Sequence, residues 1–374
     1  MIRPIDLSRT ARNVAMLGAG IAGVLFAATN AAFPSRAQDA APQFHGALLS
    51  AEAVTPKRLH KLKAAGVNAI ALPIHDAPSA RAAESRASER IHESGLRLGF
   101  WIEVARAPEL AEAHPAWMAS LQGHTEWRRL FKGTPLPGDG EVVKTYPWVP
   151  ILNQEPFDGQ LSRIKKLLKD RPKPTAIFLN DLQGAPSACG CGHHLCRWTS
   201  DYGKLRATTP LGNQAPADFA AAVQKLAPQS EIIPVWTTEC EEHDGAKNGL
   251  CAGVRCFRGK CWEAWTEQLA ATATQCRTIG ALLPYKEFQR NLTIYGPRAG
   301  WIAQALKSFQ TMPERYQAQP IPAARLLAVL QGWNVTDHEL AAQMTAAKAA
   351  GVQGILVAYD KIEQGWTPRI IKMQ

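Results

Sequence analysis

Eight short apolar runs alternate with helical patterns along the chain from residue 44 onward, and this alternation constrains the fold most. We predict these runs to be strands, and they cover residues 44–49, 67–72, 96–104, 175–181, 231–237, 279–284, 326–330 and 354–359. Several of the helical patterns between them end at a glycine such as Gly66 or Gly95, where a left-handed residue stops a helix. Eight strand–helix units predict an α/β protein, a closed (β/α)8 TIM barrel.

Two features interrupt the regular alternation. A long insertion rich in Trp, Pro and Gly follows the third predicted strand, over residues 105–150. Cysteine-containing loops follow the fourth and fifth predicted strands. Long loops in compact domains are usually functional, so these segments are expected to surround the site.

The first residues carry an export signal. Arg3, Arg9 and Arg12 precede an apolar run over residues 14–33, and residues 35–37 offer small side chains at a cleavage point. The run fits a signal peptide, and it is also just long enough for an uncleaved membrane anchor. Both interpretations place the barrel on the exported side, in the periplasm or outside the cell. We therefore expect a signal or anchor over residues 1–37, a linker over residues 38–43 and one barrel domain over residues 44–374.

The formal net charge is +10, of which residues 1–37 carry +3 (four Arg and one Asp), so the remainder carries +7. This excess favours an acidic glycan, an anionic surface or an acidic protein as partner. The basic segment over residues 163–169 has the spacing of an amphipathic helix with a solvated face. The chain has no dense basic run with interleaved aromatic residues, so we do not expect it to bind nucleic acid.

All eight cysteines lie after residue 188, at Cys189, Cys191, Cys196, Cys240, Cys251, Cys256, Cys261 and Cys276. An even number in an exported chain favours disulfides, and the spacing does not define the pairing. A structural zinc ion bound by Cys189, Cys191 and Cys196 is the alternative, with a fourth ligand from His193, His194 or a later loop. Either would stiffen the loop above the fourth strand, and we expect no other cofactor.

The catalytic face of such a barrel is formed by the carboxyl ends of its strands. Carboxylates and tryptophans are frequent at these predicted ends, a combination suited to sugars because rings stack on pyranose faces and two carboxyl groups share proton transfer. The residues collected in this way are His45, His75, Asp76, Trp101, Glu103, Asn180, Asp181, Trp236, Glu239, Tyr285, Glu287, Gln331, Trp333, Tyr359 and Asp360.

Two phrases resemble known families. Residues 114–117 (HPAW), followed by Gln122 and Gly123, are similar to a phrase after the third strand of many exported bacterial glycoside-hydrolase-like barrels. Residues 178–181 (FLND) and the cysteine loop resemble the zinc-bearing bacterial β-galactosidases, where an Asn-Glu pair ends the fourth strand. The resemblance covers about residues 96–204. It implies that Asp181 is the general acid/base and that Asn180 binds a sugar hydroxyl.

The chain departs from those enzymes in two places. Asp181 stands where they have glutamate, and Gln331 stands near the place of their nucleophile at the end of the seventh strand. An amide cannot serve as that nucleophile. Three possibilities follow. Glu287 or Glu239 is the second carboxylate beside Asp181, in a retaining or an inverting geometry. Otherwise the protein catalyses a different reaction, or the barrel binds its ligand without catalysis.

The sequence thus leaves two functional hypotheses. In the first, an exported glycoside hydrolase uses Asp181 to protonate the glycosidic oxygen, with Glu287 or Glu239 as second carboxylate. Its expected substrate-binding residues are Asn180, Trp101, Glu103, Trp236, Tyr285, Trp333 and Asp360. In the second, a non-catalytic and membrane-anchored barrel serves as a binding or accessory subunit of an envelope or membrane complex.

Overall fold

Eight parallel strands close into a barrel in the computed structural model, which confirms the predicted (β/α)8 fold. The structure describes residues 44–114, 117, 141–144, 149–182, 211–237, 261–283, 300–311, 313–314, 318–360 and 369–372. The barrel strands are β1 (Phe44–Leu48), β2 (Ala69–Pro73), β3 (Arg97–Glu103), β5 (Ala176–Asn180), β6 (Glu231–Thr237), β7 (Ile279–Leu283), β8 (Leu326–Gln331) and β9 (Gly354–Ala358). Each pairs with the next barrel strand, and β9 pairs with β1 to close the sheet.

Helices follow the barrel strands and pack around them. Those described are α1 (Pro56–Ala64), α2 (Pro78–Glu93), α3 (Pro108–Ala113), α4 (Gln154–Leu168), α5 (Ala215–Leu226), α6 (Cys261–Gln275), α7 (Gly300–Thr311) and α8 (Asp337–Ala349). At the start of α8 the Thr336 side chain accepts from the Glu339 amide while the Glu339 side chain accepts from the Thr336 amide. Gly66 and Gly95, just beyond α1 and α2, have φ of 86° and 72°, as the stop signals predicted.

The core has two layers because successive strand residues point to opposite faces of the sheet. An outer cluster joins one face of the strands to the helices and includes Phe100, Leu179 and Phe219. An inner cluster fills the barrel and includes Trp101 and Phe178. The residues that point into the barrel near its carboxyl end are therefore those placed to form a site.

The inner layer depends on close fit at Gly99. A Cβ on Gly99 would lie 2.9 Å from Cε2 of Phe178 on the neighbouring strand. The Phe178 ring in turn stacks on Trp101, with ring centroids 6.0 Å apart and an interplanar angle of 26°. Glycine at this position thus makes room for the aromatic pair under the carboxyl end of β3 and β5.

One element was missed by the sequence analysis. β4 (Glu141–Lys144), inside the insertion after β3, pairs antiparallel with β10 (Arg369–Lys372) near the end of the chain. The insertion also contains the short helix α3. Its remaining residues between 118 and 140 lie outside the described part of the chain.

Two predictions fall partly or wholly outside the described residues. Within the described ranges no helix has the length and apolar character needed to span a bilayer, and the predicted signal or anchor over residues 14–33 lies outside them. Cys276, which we counted among the candidate disulfide partners, is a buried free thiol, and burial raises its pKa to about 11. Disulfides among the other cysteines stay a prediction.

Candidate functional site

Glu103 is held in a fixed orientation at the carboxyl end of β3. Its Oε1 accepts a hydrogen bond of 2.7 Å from Nε1 of Trp101, and its Oε2 accepts one of 2.8 Å from Nδ2 of Asn180. Glu103 and Asn180 lie directly opposite each other in the β3–β5 ladder, which is why the two side chains meet. Three of the sequence-predicted site residues are thus brought into one contact group.

A cavity of about 240 Å³ opens beside Glu103, at the carboxyl ends of β1, β2, β3 and β9. Ten of its eighteen lining residues are polar or charged. The polar lining residues are Ser50, Glu52, His75, Asp76, Glu84, Glu103, Arg106, Glu109, Arg163 and Asp360. Trp101 and Leu48 from the inner layer also reach the lining, although each is only 1% exposed. The cavity has the position expected for the site of a barrel enzyme.

Two of the acids are anchored by neighbouring donors. Asp76 forms an ion pair with Arg163, whose guanidinium also donates to the backbone carbonyl of Glu103 at 2.8 Å. Asp360, a predicted ligand-binding residue, accepts a 2.6 Å hydrogen bond from the backbone amide of Ser50. The first set of contacts links the ends of β2 and β3 through Arg163, and the second links the ends of β1 and β9.

His75 belongs to a buried charged chain on the wall of the cavity. Its Nδ1 lies 2.7 Å from Oε1 of Glu84, and Oε2 of Glu84 accepts from Arg171 Nη2 at 2.6 Å. The side chains of Glu84 and Arg171 are 2% and 1% exposed, whereas that of His75 is 39% exposed. The hydrogen bond to Glu84 raises the pKa of His75, an effect that burial opposes and that the charges of Glu84, Glu103 and Glu109 reinforce.

Asp181, the predicted general acid/base, lies next to the cavity rather than in its lining. Its backbone is left-handed, with φ of 58°, and the residue is only 6% exposed. Arg106 Nη2 approaches Oδ2 of Asp181 to 3.4 Å. This cation stabilises a carboxylate, whereas a general acid must carry a proton before the reaction. The catalytic role of Asp181 stays a prediction.

The predicted tryptophans have different environments. Trp101 reaches the lining of the cavity but is only 1% exposed, so its main contact there is the hydrogen bond that it donates to Glu103. Trp236 is 0% exposed and packs in the outer cluster between β6 and the helices, so its ring has no surface for a ligand in this structure. Trp333 is partly buried just after β8 and packs on the inner cluster, and its carbonyl accepts from Nε2 of Gln331.

Other predicted site residues lie elsewhere. His45 is the second residue of β1 and therefore lies at the amino end of the barrel, so its assignment to the strand ends that form the site was wrong. Several predicted site residues fall outside the described part of the chain: Glu239, Tyr285, Glu287, Cys189, Cys191 and Cys196. Among the residues that the structure does describe, no cluster of three or more His, Cys, Asp or Glu is arranged to hold a metal ion.

Glu84 was missed by the sequence analysis, although a signal for it exists. The buried residues of α2 are Glu84, Ala87, Ser88 and Ile91, which follow the i, i+3, i+4, i+7 spacing of one helix face. An acid on the apolar face of a helix needs a buried partner. The partners, His75 and Arg171, come from other elements and could not be identified from that spacing.

The chain was also compared with known proteins. No family model matches it, and neither does any curated protein. The endo-1,4-β-D-mannanase of Thermotoga petrophila RKU-1 is a similar solved structure, with 11% identity, a TM-score of 0.47, and coverage of 86% of this chain and 90% of the mannanase. A β-galactosidase from the psychrophilic Marinomonas ef1 shares 8% identity at a TM-score of 0.46, over 84% of this chain and 54% of that enzyme.

An enzyme of another class is also among the similar solved structures. The HpcH/HpaI aldolase of Desulfitobacterium hafniense DCB-2 has 12% identity and a TM-score of 0.35, over 84% of this chain and 86% of the aldolase. All of these scores are below about 0.5, and barrels of one fold host unrelated reactions. The barrel assignment therefore rests on the strand order, and the function must be argued from the cavity.

Proposed function

We propose that this chain is an exported barrel that acts on a carbohydrate bound in the cavity at the ends of β1, β2, β3 and β9. The observation that carries the proposal is Glu103, whose two carboxylate oxygens are held by Trp101 and Asn180 on the cavity wall. A carboxylate that is positioned in this way is ready to act on a substrate without reorganising first.

The cavity has the size and lining that a sugar requires. Its volume of about 240 Å³ is below the range of about 300–1,000 Å³ that drug-sized ligands occupy, so a single sugar ring fits better than an oligosaccharide. Carboxylates, guanidinium groups and the Ser50 hydroxyl supply donors and acceptors for sugar hydroxyls. The partly exposed lining residues Ala51, Pro73 and Pro108 supply apolar surface. Longer glycans would extend out of the cavity along the face of the barrel.

Glycoside hydrolysis is the reaction that this arrangement supports best. The usual mechanisms use two carboxyl groups, one of which activates water or attacks the sugar. We assign that part to Glu103. Asp181, which the family resemblance suggested as acid, lies just outside the cavity lining and faces Arg106, so we place it as a partner that orients Arg106 at the edge of the cavity.

Two matched variants test this assignment. We expect Glu103→Gln to lower the release of reducing sugar from a panel of glycans by about 100-fold or more, because an amide cannot accept the proton of water. We expect Asp181→Asn to retain a larger part of the activity, and Glu93→Gln, an exposed change on α2, to retain all of it. Full activity of Glu103→Gln would refute the assignment, and loss only in Asp181→Asn would restore the original hypothesis.

A barrel that binds carbohydrate without catalysis is the second candidate. Gln331 ends β8, where the family resemblance predicts a nucleophilic glutamate, and it is locked by structural hydrogen bonds: Nε2 donates to Trp333 and the backbone carbonyl accepts from Gln343. In this case titration calorimetry would detect glycan binding while no reducing sugar is released. N-terminal sequencing of the exported protein would then show whether residues 14–33 remain as an anchor for an accessory subunit.

A further inference from the structure

We propose that His75 is the proton donor of this site, an imidazolium held by Glu84 that protonates the leaving oxygen of the substrate. The inference rests on the proposed hydrolytic function and assigns the acid that Glu103 needs as its counterpart. Neither the resemblance to known families nor the comparisons assign a role to His75, Glu84 or Arg171.

The geometry around His75 fixes the ring on one side only. Glu84 Oε1 contacts Nδ1 at 2.7 Å and also accepts from the backbone amide of His75 at 3.0 Å. Within the described residues the ring makes no further hydrogen bond, so Nε2 is available at the cavity, where His75 is part of the lining. A carboxylate on one nitrogen determines the tautomer and leaves the other nitrogen for proton transfer.

Glu84 is itself held in place by Arg171 on the side away from His75. Its second oxygen accepts from the buried guanidinium of Arg171, so the carboxylate cannot turn away from the ring. The three side chains Arg171, Glu84 and His75 are linked in that order from the protein interior to the cavity wall. Of these three, His75 alone is partly exposed. Because Glu84 and Arg171 are only 2% and 1% exposed, His75 is the member that presents most surface to a substrate.

The charges around the cavity favour the protonated ring. Glu103 from β3 and Glu109 from α3 both stabilise the imidazolium, in addition to Glu84 from α2. The cations near the cavity, by contrast, are partnered: Arg163 from α4 pairs with Asp76, and Arg106 pairs with Asp181. The remaining charged residues that line the cavity are Glu52 after β1 and Asp360 after β9, and both are acids.

The proposed step balances as an ordinary hydrolysis. The Nε2–H bond of His75 breaks, and its proton goes to the glycosidic oxygen as the bond from C1 to that oxygen breaks. Water forms the new bond to C1 and gives its proton to the carboxylate of Glu103. Exchange with solvent returns the proton from Glu103 to His75, so the net change is one water added across one glycosidic bond.

The test compares two leaving groups in the purified full-length protein. On a glycoside with an alkyl alcohol as leaving group, we expect His75→Gln to lower kcat by about 100-fold to 10,000-fold, the usual contribution of a general acid. On an aryl glycoside whose phenol leaves without protonation, we expect the same variant to keep nearly full activity. His92→Gln, an exposed change at the end of α2, is the matched control and is expected to retain activity on both.

A pH profile supplies the second readout. We expect the alkaline limb of kcat/KM to follow the ring titration of His75, measured by NMR of ¹⁵N-histidine-labelled protein, and both to move to lower pH in Glu84→Gln. A residue that only supports the fold would change neither. His75→Asn, with a smaller polar side chain, repeats the leaving-group test if His75→Gln is poorly folded by circular dichroism.

The outcomes separate this proposal from the function on which it rests. Hydrolysis by the wild-type protein with equal losses on both substrates in His75→Gln, or with no loss, would overturn the proton-donor role alone. A wild-type protein that binds glycans without hydrolysing either substrate would overturn the hydrolytic function and the proton donor with it. Selective loss on the alkyl glycoside would establish both.

Discussion

Replacing Glu84 with glutamine should destabilise the protein more than any other single charge removal at the cavity. Glu84 is buried together with Arg171, and Oε2 lies 2.6 Å from the guanidinium. Arg171 Nε and Nη1 are buried and have no hydrogen-bond partner among the described residues, so Glu84 is the group that compensates this charge. Glu84→Gln would leave a buried guanidinium without a counter-charge.

The expected magnitude follows from this burial. Removing one partner of a buried ion pair costs about 3–5 kcal/mol, most of which is the penalty for the uncompensated charge. For a large domain, at about 2 °C per kcal/mol, the melting temperature should fall by about 6–10 °C. The double variant Glu84→Gln/Arg171→Met replaces both charges and should recover most of the loss.

Urea unfolding followed by tryptophan fluorescence and circular dichroism measures this effect. Glu93→Gln is the control because it makes the same charge change at an exposed position of the same helix, and it should shift the free energy of unfolding by less than about 0.5 kcal/mol. If Glu84→Gln cost less than about 1 kcal/mol, or if the double variant were less stable than the single one, the argument from the buried pair would be refuted.

Three further predictions concern pH, helix capping and packing. The folded state raises the pKa of His75 above its ordinary 6.5, so His75 stabilises the fold fully below pH 6.5 and this contribution is lost as pH rises through the raised pKa; unfolding free energies measured against pH should fall across that range in the wild type and not in His75→Gln. Thr336→Ala removes the cap of α8 and should cost about 1 kcal/mol in urea unfolding, against little change for the mid-helix control Thr345→Ala. Gly99→Ala forces a methyl group against Phe178 and should lower stability by about 1–3 kcal/mol, and an unchanged melting temperature would contradict the packing argument.

The barrel could be predicted because its strands and helices have different apolar patterns. All eight predicted strands are present, with ends shifted by two residues or fewer, as in β2, which begins at Ala69 where Val67 was expected. The glycines after α1 and α2 marked helix ends because left-handed geometry is a local requirement. Such features depend on neighbouring residues in the chain, which is why the sequence alone contains them.

The orientation of side chains was harder to predict. The strand over residues 231–237 is apolar on both faces, so it has no alternation that would indicate whether Trp236 points inward or outward. Asp181 follows β5 with positive φ, a backbone conformation that strand alternation does not predict. Residue spacing alone therefore gives neither the direction of Trp236 nor the backbone conformation of Asp181.

The charged partners of the cavity depend on tertiary structure. Arg163 and Arg171 lie about ninety residues from Asp76 and Glu84, and the barrel brings them together through α4 and the turn after it. The ribbon of β4 and β10 likewise pairs segments from the insertion and from the end of the chain. Individual short patterns contain no information about such long-range partners.

The pairing of β1 with β9 has a consequence for the order of folding. These strands are separated by about three hundred residues, and the hydrogen bond from the Ser50 amide to Asp360 joins the segments that follow the same two strands. During synthesis the edge of β1 has no neighbour on that side until residues 354–358 have emerged, so the sheet closes only after nearly the whole chain is available. A shortened chain lacking β9 would expose two unpaired strand edges that favour aggregation.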